Sequence, residues 1–522
     1  MNAKVIGIFA LFVGLCLFLA LNTDGAFVKG NNIENLIRRT SMYGILGIGV
    51  AFVIITSGID LSIGSVVCLA VCLLAIFLKV DYESSITSNI VQVNAAAKEI
   101  LVPADVDKFK PGDTVRYYGG RRARNAVVTI ESVGPSTAEN GDRVTCLVVD
   151  AELSRDDTDG QIARMLPITS FANANPPRAT TPLSYDKEPN SEPAASEPAA
   201  SIEIEGKLSE LSPRDRVMLV SGRSLKEATI TGVEVKGENT VLTLAGPTGQ
   251  LDDSWMAIPL ERRQRTSIPV ALASVLAIAA GLGLAHGLLV TRFSLPPFVV
   301  TLCGLLVYRS VSRWMVSDKT MGFGTEFDGS LSLLGTGKVP LWQSADGTDS
   351  FGIPFPFFVF LVTAITAAIF LNKTIWGRYM LALGRNEAAA RYSGIKTGQV
   401  TVIAYVICTV LAAVGGMIFA LDSNSVAPSS FGNWFELYAI AAAVLGGCSL
   451  RGGEGGILGV VIGTALMQTL YNLIVLMKIS DTLEHAVIGA VILIGVIADE
   501  LVRRIVAKRR AVEQAKKQLA ST

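Results

Sequence analysis

Charge is scarce in this 522-residue chain: 17% of its residues are Asp, Glu, Lys or Arg, and the two signs balance at 45 each. A soluble domain ordinarily carries about a quarter charged residues, and a nucleic-acid-binding protein shows a basic excess, so neither class fits. Histidine is nearly absent, with His286 and His485 alone, which leaves no histidine cluster for a metal centre. Of seven cysteines, Cys16, Cys68, Cys72, Cys303, Cys408 and Cys448 lie in or beside apolar stretches and Cys146 in a polar one. Their spacing forms no disulfide framework and no metal-ligand pattern, so they read as packing residues. A Gly-x-x-x-x-Gly-Lys-[Ser/Thr] loop is also missing, since Gly335-Thr336-Gly337-Lys338 lacks both the spacing and the following hydroxyl. Nucleotide hydrolysis is therefore not expected on this chain. No nucleophile motif or paired carboxylates suggest a catalytic residue, and no enzyme activity is expected.

What the chain has instead is apolar sequence: 50% of its residues are hydrophobic and its mean hydropathy is +0.47. These residues gather in blocks at 5–21, 41–57, 61–79, 268–290, 296–313, 355–372, 398–421, 436–449, 455–478 and 485–506. A bilayer-crossing helix needs about 20 apolar residues, so roughly ten spans are expected, with 436–449 short enough to be re-entrant or broken. The first block reads as a span rather than a cleaved leader, being long for one. The expected fold is an all-α polytopic membrane protein with about ten transmembrane helices and an inserted soluble all-β region. Spans 1 to 3 would fill 1–80, the insert 81–267, spans 4 to 10 residues 268–510, and a cytoplasmic tail 511–522.

Basic residues cluster in the loop carrying Lys373, Arg378, Arg385, Arg391 and Lys396, and in Lys508, Arg509 and Arg510 after the last block. The positive-inside rule places both in the cytoplasm. With ten spans the N-terminus is then cytoplasmic, Arg292 and Arg451 face inward, and the insert lies outside. Arg38 and Arg39 dissent, falling at the outer side.

The insert changes character. Runs such as Thr114-Val115-Arg116-Tyr117-Tyr118 and Val127-Val128-Thr129-Ile130, separated by glycine-containing turns, predict short strands. It is duplicated: Pro111, Asp113, Val115, Gly120, Arg121, Ala126, Thr129 and Val133 recur 102 residues later as Pro213, Asp215, Val217, Gly222, Arg223, Ala228, Thr231 and Val235. Two similar small β domains, about 98–170 and 202–260, are expected, joined by a Pro/Ala/Glu-rich disordered linker around Asn175 to Ser201. The Arg121, Arg122 and Arg124 cluster reads as a solvated turn. The insert is either a spacer or a docking module for a partner.

Four segments carry chemistry. Asp60, between the second and third blocks, is expensive at membrane depth and either caps a helix beginning at Leu61 or touches solute. Pro296 and Pro297 open a span where missing amide donors cost nothing. Arg309 in the outer half of that span and Arg313 at its end either snorkel or pair within the bundle, or line a solute path. His286 reads as a helix-packing residue, and His485 as an interfacial one. The loop from Gly384 to Ile395 has a helix-favouring Glu-Ala-Ala-Ala core that Asn386 can cap and Gly394 can end. A short inner-face helix of that kind suits receipt of force from a separate motor, or is a plain surface helix. The run from Gly446 to Gly456 is too rich in glycine for a continuous helix and predicts a turn or a broken one. The candidate translocation path comprises Asp60, Ser62, Pro297, Thr301 and Arg309, and the candidate coupling helix Gly384, Asn386, Glu387, Ala388, Ala389, Arg391, Ser393 and Gly394.

On Gly58-Ile59-Asp60-Leu61-Ser62-Ile63-Gly64, Leu295-Pro296-Pro297-Phe298-Val299-Val300-Thr301-Leu302, Gly384 to Ile395 and Gly446 to Gly456, the chain resembles the ribose-type permease family of ABC importers, which move monosaccharides and related small polar solutes. The resemblance covers about 1–80 and 265–510 and leaves out the insert. Ser57 stands where the family favours Gly, Cys303 replaces a Gly, and Ser310 follows Arg309 where Gly is common. The resemblance implies a permease subunit of a bacterial inner membrane that pairs with a second permease subunit, identical or not, in membrane lipid. Two ATP-binding subunits, which carry ATP and Mg, would dock on the helix around Glu387 to Tyr392 and drive alternating access, and an extracytoplasmic solute-binding protein would deliver solute. On that basis Glu387→Pro or Gly394→Trp is expected to abolish solute-stimulated ATP hydrolysis. The rival readings are an ion-coupled secondary transporter and a membrane anchor that presents β domains to partners.

Overall fold

A computed structural model describes residues 3–480 except 85, 105–107, 119–125, 139–140, 152–159, 173–199, 209–210, 222–223, 246–250, 252–253, 325, 328 and 345–348; beyond 480 it describes 483, 486, 487, 489, 490, 493 and 497. Almost all of the expected linker, the Arg121, Arg122 and Arg124 cluster, His485, most of the last apolar block, Lys508 to Arg510 and the tail 511–522 lie outside the described residues. The chain divides into two compact units, Met1–Lys79 with Thr266–Thr522, and Val80–Arg265.

The first unit is helical. It contains α1 (Ala3–Asn22), α2 (Gly30–Ile55), α3 (Ile63–Phe77), α4 (Ile268–Arg292), α5 (Pro297–Met315), α6 (Leu333–Thr336), α7 (Phe355–Lys373), α8 (Ile375–Arg385), α9 (Glu387–Tyr392), α10 (Thr397–Ser423), α11 (Phe435–Leu445) and α12 (Ile457–Leu476). Among the described residues six helices are long and apolar enough to cross a membrane: α1, from Val5, and α2, α4, α7, α10 and α12. The apolar helix α3 has 15 residues and α11 has 11, while the 19-residue α5 carries Arg309 and Arg313. Two sequence blocks thus yield helices well short of the roughly 20 residues a span needs, because the backbone unwinds beside each, at 56–62 and 424–434. The core is built around α2, which packs against α7, α10, α11 and α12, and around α10, which also packs against α3 and α4. Ile45, Ile48, Phe52, Met380, Tyr405 and Val460 meet there fully buried.

The second unit is all β. Its strands are β1 (Val80–Glu83), β2 (Thr87–Asn89), β3 (Gln92–Asn94), β4 (Glu99–Pro103), β5 (Thr114–Tyr118), β6 (Ala126–Thr137), β7 (Arg143–Val149), β8 (Gln161–Arg164), β9 (Leu166–Ala172), β10 (Ala200–Glu205), β11 (Arg216–Ser221), β12 (Ser224–Lys236), β13 (Asn239–Ala245) and β14 (Met256–Gln264). The helical unit holds a hairpin of β15 (Lys338–Gln343) and β16 (Ser350–Pro354). Strands run β14-β11-β12-β13-β10-β9, and β9 pairs back to β14, which closes a six-stranded barrel with β1 added on β14. The other sheet, β2-β8-β5-β6-β7-β4-β3, has the same order, with β2 and β3 in the place of β9. Closure removes the sheet edges that would otherwise template aggregation.

Pairing corrects the sequence boundaries in two respects. Strand β9, expected in the first β domain, belongs to the second barrel, and β2 and β3, expected outside either domain, begin the first. The constant 102-residue offset also fails beyond the first hairpin. Tyr117 pairs with Ala126 and Leu219 with Lys226, so eight residues intervene in one copy and six in the other. The bulges after Ile130 and Ile230 then correspond at an offset of 100, which makes Thr229 and Val233, rather than Thr231 and Val235, the counterparts of Thr129 and Val133. Chance identity two positions on masked the shorter turn, because alternate strand residues share a face and a chemistry. The aspartates of the repeat do the same work in each copy. Asp113 Oδ2 accepts the Lys110 amide at 2.7 Å and Asp215 Oδ2 the Ser212 amide at 2.7 Å, each closing the turn before its hairpin. Arg116 on β5 donates to the Met218 sulfur on β11 at 3.8 Å, a contact between equivalent positions of the two copies.

Candidate functional site

Helix α2 stops at Ile55. Thr56 turns its hydroxyl back to the Phe52 and Val53 carbonyls, Ser57 takes a left-handed φ of 63°, and the Gly58 amide reaches the Val53 carbonyl at 2.9 Å. A non-glycine residue at positive φ is costly, and here the side chain compensates: Ser57 Oγ donates to the Gly384 carbonyl at 3.2 Å and the Arg451 carbonyl at 3.1 Å. The Gly453 amide donates to the Ile55 carbonyl at 2.9 Å, and the Thr301 hydroxyl to the Ile59 carbonyl at 3.3 Å. The break at 56–62 is therefore where all four singled-out segments meet. Pro296 and Pro297 open α5 one turn before Thr301, with Pro297 its first residue.

Asp60 does not cap a helix at Leu61. The helix begins at Ile63 with Ser62 in the capping position, and Asp60 Oδ1 instead accepts the Ser62 amide at 2.8 Å and the Ser62 hydroxyl at 2.6 Å. A carboxylate two residues before the cap closes a local turn in the unwound stretch rather than reaching the first helical amides. Asp60 is fully buried, with His286 of α4, Tyr308 of α5 and Tyr405 and Cys408 of α10 within its electrostatic reach. His286 Nε2 and the Tyr308 hydroxyl are 2.9 Å apart.

Arg309 is engaged within the bundle, through backbone carbonyls and without an ion pair among the described residues. Its guanidinium donates to the Pro428 carbonyl at 3.1 Å and to that of Phe431. Both carbonyls belong to the unwound stretch 424–434, with Asn424, Gly432 and Trp434 at positive φ. Irregular backbone at membrane depth survives only where protein supplies its hydrogen bonds, and Arg309 supplies two. The first turn of α3, just past the first break, touches the second: a Cβ on Gly64 would strike the Gly432 carbonyl, and a Cβ on Gly432 would lie 2.5 Å from the Gly64 carbonyl. Arg313 pairs with Asp318 at 2.6 Å beyond the helix end.

The loop after α8 forms the short helix α9. Asn386 Oδ1 accepts the Ala389 amide at 2.9 Å, Glu387 and Arg391 pair at 3.0 Å across one turn, Ser393 Oγ returns to the Ala389 carbonyl at 2.9 Å, and Gly394 leaves the helix at φ 82°. Ala390 is buried, while Asn386, Glu387, Ala388, Ala389, Arg391, Ser393 and Gly394 are exposed and Tyr392 is 94% exposed. Gly384 is buried against the Ile55 carbonyl and Gly453. An exposed capped helix is thus anchored through Gly384 directly on the break.

At the other end of α2, Arg38 donates to Glu34 at 3.0 Å, Asp422 at 3.2 Å and the Gly335 carbonyl at 2.7 Å, and Lys338 reaches Glu34 at 3.0 Å. Arg39 lies 4.9 Å over the Tyr471 ring. The two arginines that dissent from the charge pattern are thus engaged within the fold, Arg38 with two acids. Asp349 receives the amides of Gly30 at 2.9 Å and Asn31 at 3.1 Å, capping α2 from a distant loop. These backbone bonds hold the Asp349 carboxyl below the usual carboxylate range. Its contribution to stability is full above its unfolded value of about 3.9 and is lost as pH falls through the depressed folded value. A thermal-unfolding series in acid should therefore show a stability loss below about pH 4 that is smaller in Asp349→Ala, a variant already less stable at neutral pH.

A family model described as branched-chain amino acid transport system / permease component matches residues 240–496. The ribose import permease protein of Escherichia coli is 35% identical over 231 residues, 44% of this chain and 68% of that protein. The ribose import permease protein of Haemophilus influenzae is 30% identical over 287 residues, 53% of this chain and 83% of that protein. The xylose transport system permease protein of the same organism is 28% identical over 310 residues, 50% of this chain and 80% of that protein. No solved structure matches the chain.

Proposed function

Because the chain belongs to the ribose-type monosaccharide permease family of ABC importers, we propose that it is the membrane-spanning subunit through which a monosaccharide or similar small polar solute crosses, by alternating access driven from outside the chain. The observation that carries this reading is the meeting of the four segments at the 56–62 break. A motor pressing on α9 moves Gly384, and Gly384 bears on Ile55 and Gly453. The unwound stretches 56–62 and 424–434, held by Asp60, Ser62, Thr301 and Arg309 and flanked by Pro297, are the elements a solute path would rearrange.

The partners of this reading are an ATP-binding subunit, which brings ATP and Mg, a second permease subunit and an extracytoplasmic solute-binding protein. In this arrangement about ten segments cross or enter a bacterial inner membrane, α3 and α11 as broken ones. The insert, placed between the third and fourth, is then extracytoplasmic, and the loop of α8 and α9 cytoplasmic.

Affinity purification of the tagged full-length chain from gently solubilised membranes tests the reading. Recovery of a stoichiometric subunit with a phosphate-binding loop is expected. Recovery of the chain alone, with solute uptake driven by an ion gradient, would replace it with the secondary-transporter reading.

A further inference from the structure

Asp60 has 0% exposure, and while its Oδ1 is bonded twice by Ser62, its Oδ2 has no partner. Two other buried polar atoms near it are in the same condition: His286 Nδ1, on a residue 1% exposed, and the Tyr405 hydroxyl, on a residue 0% exposed. The two rings meet edge to face with centroids 6.1 Å apart, and both residues lie within reach of the Asp60 charge. The residues that carry the orphaned atoms belong to the α2–α3 break, α4 and α10, and tertiary packing brings them into one neighbourhood.

The nearest cation on the surrounding elements, Arg309, is directed at backbone carbonyls and forms no ion pair with Asp60. On α5, Tyr308 is engaged with His286 Nε2 and Arg309 with the carbonyls of Pro428 and Phe431. The Cys408 thiol of α10 lies against the carboxylate as a weak, neutral donor, and α11 adds Glu436, a second acid that feels Asp60. No lysine or arginine among the described residues pairs with Asp60. A carboxylate taken out of water is tolerated when it is paired, coordinated or neutralised. Carboxylate oxygen and phenol oxygen offer lone pairs, and so does His286 Nδ1 in the tautomer whose Nε2–H donates to the Tyr308 hydroxyl, a set that suits a small cation and repels an anion.

We propose that Asp60 Oδ2, His286 Nδ1 and the Tyr405 hydroxyl form a binding site for one monovalent cation, a proton or a sodium ion, at the α2–α3 break. The inference deepens the transport reading and rests on it for one consequence: occupancy of the site sets whether the break can close, which makes solute uptake responsive to pH or to sodium. Binding itself does not depend on that reading, and the test uses neither solute nor ATP.

The purified full-length chain is compared with Asp60→Asn by infrared difference spectroscopy between acid and alkaline buffer, and by thermal unfolding in sodium against choline. A protonated-carboxyl stretching band that appears in acid and is missing from Asp60→Asn identifies a proton. A thermal midpoint raised by sodium in the parent and unresponsive in Asp60→Asn identifies sodium. Identical spectra and identical midpoints for the two proteins in both buffers would overturn the proposal and leave Asp60 as a turn-closing residue. Should Asp60→Asn fail to fold, Tyr405→Phe decides: loss of one lone-pair donor is expected to weaken proton or sodium binding about threefold or more, and an unchanged response overturns the site.

Discussion

Ala390→Pro is expected to abolish solute-stimulated ATP hydrolysis in the reconstituted complex while the chain still inserts into the membrane. The Ala390 amide makes the first backbone bond of α9, to the Asn386 carbonyl at 3.0 Å. Proline there removes the donor and drives its ring against the same carbonyl, a cost of about 3 kcal/mol or roughly a hundredfold in the population of the formed helix. Ala390 is also the buried residue of that helix, so its displacement moves α9 off the bundle. Glu387→Pro, the substitution that composition alone suggests, is the informative contrast. Glu387 is the first helical residue and its predecessor Asn386 is already extended at φ −162°, ψ 103°, a position and a neighbour that accept proline. Near-normal coupling is therefore expected for Glu387→Pro, whereas Gly394→Trp, at φ 82°, should still disrupt the helix end. Hydrolysis measured with solute and solute-binding protein present separates the cases. Full stimulation in Ala390→Pro would remove α9 from the coupling route.

Gly384→Val is expected to prevent a stable bundle from assembling. A Cβ at Gly384 would collide with the Ile55 carbonyl and the Gly453 amide, and would come within 3.0 Å of the Gly453 Cα. All three are backbone, so no side chain can swing aside, and relief requires separating α8 from the end of α2 and from the glycine turn. Overpacking of this kind costs about 3 kcal/mol or more. Gly281→Val on α4, where nothing lies within 4 Å of the added carbon, is the matched control. The fraction remaining monodisperse in detergent after graded heating should fall sharply for Gly384→Val and stay near the parent value for Gly281→Val. Equal resistance in the two variants would mean that the Gly384 contact does not hold the break together.

Much of the site can be read along the chain because its signals are local. Asn386 followed by a run of alanines announces a capped helix, paired prolines announce a helix start, and a glycine run announces a turn; each depends on residues a few positions apart. Where the sequence misleads, a longer-range choice is responsible. Asp60 could equally have capped Leu61, and only the packing that keeps 56–62 unwound delays the helix to Ile63. Arg309 gave no hint of its partners, since the Pro428 and Phe431 carbonyls lie 119 and 122 residues away in sequence. Within the insert, the two-residue difference between hairpins is invisible to identity matching and becomes evident from strand register.

Composition and apolar block length by themselves determine a membrane-embedded chain, and strand patterning a duplicated β insert, because hydrophobic span length and turn chemistry are properties of contiguous residues; the permease class comes from the resemblance of the four ordered motifs to that family. The tertiary structure alone decides that Ser57, Gly384 and Arg451 share one junction, that the first turn of α3 leans on the unwound stretch 424–434 at Gly64 and Gly432, and that His286 and Tyr405 lie within reach of the Asp60 charge. Those contacts join residues far apart in the chain, and helix packing with the hydrogen-bond needs of broken backbone in an apolar surrounding selects them.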